Sequence, residues 1–170
     1  MTAATFQSTV NINLGFGIPG ELIVDGPQRS ESLILDVNGG TIAYAFTKSN
    51  TTNVATMGGA IVAGTNVFAG ILVNPKAYAS FGAVGGAPLD PTMYLPGYAQ
   101  GEFLTMGTIV VTMNGAANIG DNVFYQNTTG QLYAGTPGDA PGAGFTQIPN
   151  AVVYRYPVST TGLTAIRLTN

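Results

Sequence analysis

The sequence predicts an all-β chain, folded as an antiparallel β-sandwich of jelly-roll type or as a small barrel. Three observations carry that expectation. First, 24 Gly and 10 Pro make up a fifth of the 170 residues and are spread from end to end, which leaves little room for helices of ten or more residues. Second, short runs rich in β-branched and aromatic residues lie between them, at 21–25, 32–37, 41–46, 66–74, 102–113, 122–126, 151–158 and 163–169. Third, several of these runs alternate with period two. Strand order depends on long-range pairing that alternation does not encode, so sandwich and barrel both stand at this stage.

Taken in order, the chain opens with an amino-terminal arm at residues 1–13, followed by a single β-domain at 14–170. No repeat of fixed period, charge block or composition shift marks a second domain. Turns are expected at Asp25-Gly26-Pro27 and Asn38-Gly39-Gly40, where Gly and Asp tolerate the required backbone angles. A turn of helix is expected at Pro75-Lys76-Ala77-Tyr78-Ala79, since Pro suits a first helical position. Residues 80–97 and 134–149 read as long irregular loops, each with three prolines. The run 103–113 is apolar on both faces, as in a strand covered on both sides; a subunit contact would supply the outer cover, and Gly107 would mark a bulge or bend. Asn114-Gly115 then reverses the chain, and residues 123–133 read as strand, tight Gly loop and strand. In 152–156, alternation groups Val152, Tyr154 and Tyr156 opposite Arg155; in 163–168 it groups Ile166 and Leu168 opposite Arg167.

Composition excludes whole classes of chemistry. The chain has no Cys and no His. Disulfides, thiolate nucleophiles, zinc–thiolate sites and Ser-His-Asp arrangements are therefore absent. Five Lys and Arg against eight Asp and Glu give a net charge of −3, and charged residues are 8% of the chain where about 25% is usual. Five scattered cations cannot neutralise a phosphate track, so nucleic acid is not an expected partner. Mean hydropathy is +0.27, yet runs such as Ile109-Val110-Val111 fall far short of the ~20 residues a spanning helix needs. The start, Met1-Thr2-Ala3-Ala4-Thr5, lacks the basic and apolar regions of a secretory signal, so neither export nor membrane attachment is expected. A nearly uncharged, apolar-leaning surface points to a subunit that spends it on neighbours, with a neutral Thr/Asn/Gly-rich monomer as the alternative.

The remaining polar and glycine-rich motifs read as structural. Asp25, Asp121 and Asp139 adjoin Gly and are expected to cap turns through their own backbone, while Glu21 and Glu102 follow Gly at strand starts. Gly15-Phe16-Gly17-Ile18-Pro19-Gly20 spells G-x-G-x-x-G. Pro19 interrupts it and a strand-like run follows, so it lacks the helix that would hold a pyrophosphate. Oxygen-rich turns at Asp121-Asn122 and Asn127-Thr128-Thr129 lack the EF-hand spacing. No catalytic residue, cofactor, metal or small-molecule substrate is therefore expected.

The ordered phrases Gly17-Ile18-Pro19-Gly20-Glu21, Asp25-Gly26-Pro27-Gln28-Arg29, Phe68-Ala69-Gly70-Ile71-Leu72-Val73-Asn74-Pro75-Lys76, Thr105-Met106-Gly107 and Ile119-Gly120-Asp121 resemble tailed-phage structural cement, or capsid decoration, proteins. The closing segments Ile148-Pro149-Asn150-Ala151 and 162–170 fit the same pattern, so the resemblance spans roughly residues 15–170. It implies a non-enzymatic β-rich virion subunit that binds the outer capsid surface, assembled in the host cytoplasm. Its implied partners are the major capsid protein and itself, as a homodimer or homotrimer. The rival reading is a carbohydrate-binding β-module on a virion surface, which needs exposed aromatic side chains. The arm and the loops at 83–97 and 134–149 are the expected contact segments.

Overall fold

The computed structural model describes residues 17–75, 93–136 and 141–169, and every regular element among them is a strand. The arm at 1–13, the helical turn beyond Pro75 and the first part of the 80–97 loop lie outside these residues, as does Asp139. The strands are β1 (Leu22–Ile23), β2 (Arg29–Leu35), β3 (Gly40–Thr41), β4 (Ala45–Ser49), β5 (Val54–Met57) and β6 (Asn66–Leu72). They continue with β7 (Tyr94–Leu95), β8 (Gln100–Met113), β9 (Asn122–Gln126), β10 (Leu132–Gly135), β11 (Phe145–Arg155) and β12 (Gly162–Leu168).

β8 organises the molecule because it is long enough to serve two sets of neighbours. Its first half pairs antiparallel with β2 and β6, and the order β8-β2-β5-β4-β6 returns to β8, closing a small five-strand barrel. Its second half pairs with β12, from which β11, β9 and β10 continue outward. β10 comes back to β8 at one parallel pair, Leu132 with Met113. Of the two architectures the sequence allowed, the barrel is the one formed, and all but the β2–β5 and β10–β8 pairings are antiparallel. A bulge interrupts the β2–β8 ladder: Arg29 pairs with Met106 and Ser30 with Leu104, so the extra residue is Thr105, two positions before Gly107, which sits at φ 132°.

The core runs through both halves. Phe46 of β4 meets Phe103 of β8 edge-to-face at 5.1 Å between ring centroids, with Leu35, Ile71 and Leu104 also fully buried. Gly40 is required beside this pair, since a Cβ there would land on the Phe46 ring. The β9–β10 hairpin docks on the barrel through its turn: Ala45 N–H donates to Gly130 O at 2.9 Å and Gly59 N–H to Asn127 O at 2.7 Å. Tyr125, buried, stacks on Phe68 and donates its hydroxyl to Gly59 O at 2.7 Å.

Several expectations change. The 41–46 run breaks at Ala43, whose φ of 67° turns the chain between β3 and β4. β5 and β7 form where no strand was expected, and β11 begins at Phe145 inside the expected 134–149 loop. β5 is four residues long and β7 two, and β11 passes Pro149 and Asn150 by a register break between Gln147 and Val152. The core face of β11 is the opposite of that expected: Ala151 and Val153 are buried, pairing with Leu168 and Ile166, while Val152 pairs with Arg167 outside. Directly opposed residues share a face, so β12 decides which of two apolar sets goes inward. The outer cover at Val110 comes from the chain itself. Gly20 N–H donates to Val110 O and Val110 N–H to Glu21 O, and the Gly17 backbone lies against the Val110 side chain.

Candidate functional site

The six described carboxylates are each committed to a structural partner. Glu21 accepts from Ile18 N–H, Asp36 from Asn38 N–H and Asp121 from Asn118 N–H, each fixing a local turn. Glu102 accepts from Ser30, and Glu31 pairs with Lys48 at 2.5 Å. Asp25 departs from the turn-capping role. It accepts from Thr108 Oγ1 at 2.8 Å and from Arg167 at 3.1 Å, with Arg155 at 3.5 Å. The Thr108 hydroxyl above all holds its pKa below the usual 3.8; desolvation opposes this, and Arg167 and Arg155 add further lowering.

A bulge completes this cluster. Val153 pairs with Ile166 and Arg155 with Ala165, leaving Tyr154 as the extra residue on β11. Its ring lies 3.5 Å from the Arg167 guanidinium carbon and 4.6 Å from that of Arg155. Two cations and one carboxylate thus tie β11 and β12 to the turn after β1. Asp25, Met106, Thr108 and Arg167 also line an open depression of about 390 Å³. A second depression of about 390 Å³ is lined by Thr47, Thr52, Thr56 and Thr65 and holds no charged group. No group of three or more metal-ligating side chains occurs among the described residues, and no described helix is long and apolar enough to cross a membrane.

The glycine phrase at 15–20 also finds a structural use within its described part. A Cβ on Gly20, at φ 81°, would collide with Ile42 and the Asn74 backbone, and Asn74 N–H donates to Gly20 O at 2.9 Å. β1 follows it, not a helix.

Beside these internally bonded charges, the described surface also exposes several large apolar side chains. Val37 is 64% exposed and Tyr98 73%, with Ile34 and Tyr94 also exposed on the neighbouring β2 and β7. Tyr98 sits at φ 62°, a left-handed conformation that costs a side chain roughly 1–2 kcal/mol. Its N–H, shared between Leu35 O and Asp36 O at 3.2 Å each, holds it there. The turn at 36–39 and the turn at 96–99 interlock backbone to backbone: a Cβ on Gly97 would land on Val37 O, and one on Gly39 on Leu95 O. Sequence reading missed this feature. The pairing of Gly39 with Gly97 is non-local, and the strain at Tyr98 has no local signature.

Comparison with known proteins follows the same direction. A family model described as phage structural cement protein matches residues 6–169. Curated proteins give no match. A solved structure described as "The capsid of Myoviridae Phage XM1" is similar at a TM-score of 0.67 and 16% identity, covering 98% of each chain, a likeness of fold.

Proposed function

The chain belongs to the phage structural cement protein family, and from that premise we propose that it binds the outside of an assembled head and fastens neighbouring capsomers of the major capsid protein. As a member of that family it is a structural component of the virion with a capsid decoration function. The finer reading has several parts. The β-body at 14–170 acts as a rigid block, and the arm at 1–13 and the loops at 83–97 and 134–149 reach shell or sister subunits. The protein works as a homodimer or homotrimer and assembles in the host cytoplasm. Each contact is weak, and many copies together resist the pressure of packaged DNA.

The observation that carries this reading is the family match over nearly the whole chain. The occupied carboxylates and low charge agree with a role in contact rather than conversion. The test is to mix purified protein with expanded, undecorated heads and sediment them. Saturable co-pelleting and a higher temperature of head disruption are expected; absence of pelleting at every salt concentration overturns the reading.

A further inference from the structure

We propose that the interlocked turns at 36–39 and 96–99, with Val37, Tyr94 and Tyr98 exposed beside them, form a preorganised docking face for the phage shell protein. This rests on the cement reading above and adds which surface makes the contact. Three observations carry it.

The first is rigidity. Tyr98 is a bulky residue held at φ 62° by a forked hydrogen bond to Leu35 O and Asp36 O. Gly97 and Gly39 pack where no side chain would fit. Strained backbone persists where surrounding structure over-determines it, and such positions cluster at binding sites. A side chain presented by a fixed backbone also loses less entropy on binding. The second is side-chain type. Tyrosine is enriched among residues that dominate binding energy, because it buries a large apolar ring and keeps a hydroxyl for one hydrogen bond. Here Tyr98 is 73% exposed and Tyr94 47%.

The third is what the face lacks. The two turns carry one carboxylate, Asp36, already bonded to Asn38 N–H, and no cation. A phosphate, an anionic lipid headgroup or a strongly charged protein finds nothing to pair with there. Three or four apolar side chains are also far fewer than the 20–30 residues a side of a standard stable interface. The face is therefore too small to hold two free copies together, yet sufficient as one contact repeated over a lattice. The occupant is an uncharged, apolar depression on the shell protein with an acceptor for a phenolic hydroxyl.

The test uses the full chain, undecorated heads and two variants, Tyr98→Gly and Val37→Ser. Tyr98→Gly removes the ring but suits the positive φ, so its thermal midpoint is expected to equal or exceed that of the parent. Both variants are expected to elute as the parent does and to need roughly tenfold or more protein to saturate heads. Parent-like saturation by both variants overturns the docking face and leaves the cement reading standing. A changed elution volume for either variant also overturns it, by assigning the face to a second copy of this chain. Failure of the parent itself to pellet overturns the cement reading, and this face with it.

Discussion

Arg167 on β12 donates to the Asp25 carboxylate at 3.1 Å, joining the last strand to the turn after the first across 142 positions of sequence. Asp25 titrates below 3.8 because Thr108 and the two arginines favour its charged form. A depressed carboxylate pKa contributes stability that is fully present above the unfolded value and lost as pH falls through the folded one. Asp25→Asn is therefore expected to lower the thermal midpoint at pH 7. The difference should vanish at a pH well below 3.8, where the parent carboxyl is protonated in both states. Thermal melts of the two proteins across that range check it, and a deficit that persists in acid would assign the loss to packing.

The Phe46–Phe103 contact is the centre of the barrel, with both rings fully buried. Phe103→Ala is expected to cost about 3–5 kcal/mol, the usual range for a buried aromatic replaced by a methyl group. Gly40→Ala acts from the opposite direction by pushing a methyl into the Phe46 ring, and overpacking of this kind costs about 1–3 kcal/mol. Urea unfolding of the two variants measures both. A neutral Gly40→Ala would mean that Phe46 can swing aside.

How much of this was legible beforehand follows from how local each signal is. Polar turns on each side of a short apolar run bound β9 at 122–126, and the strand has those bounds. The facing of Ile166 and Leu168 opposite Arg167 also followed from alternation within one strand. β11 failed the same test because both of its faces carry large side chains, and only its pairing with β12 selects between them. β5 and β7 are two to four residues long and exist through their partners, so no run of propensity announced them. Likewise, the acidic turn at Asp25 looked self-contained, whereas its partners come from β8, β11 and β12.

Tyr125 gives a second pH signature with the opposite sign. Burial raises its pKa above the ordinary 10.0, although a hydrogen bond from Thr146 works the other way. A tyrosine kept neutral by folding loses nothing below pH 10. Above it the unfolded chain releases the proton while the folded chain retains it, so stability falls as pH rises. Difference absorbance should show a tyrosine step displaced above pH 10 and assignable to Tyr125, together with loss of structure. Tyr125→Phe should abolish that late step, at a cost of about 1–3 kcal/mol for leaving the Gly59 carbonyl without its donor.

The distribution of charge leads to a prediction about attachment itself. Lys48 is paired with Glu31, Arg155 and Arg167 with Asp25, and Arg29 bonds the Thr105 hydroxyl. Among the described residues every Lys and Arg is thus engaged within the chain, so the contact proposed above is expected to rest on exposed apolar residues such as Val37 and Tyr98. Salt screens charges over a Debye length that shrinks from about 10 Å at 0.1 M to about 3 Å at 1 M, whereas apolar burial is not screened. Head binding is accordingly expected to change less than about threefold between these two concentrations, while a charged clamp would weaken steeply over that interval. Co-sedimentation with heads along a salt series measures this. A steep fall with salt would mean that ion pairs, and not the neutral surface, hold the protein to the shell.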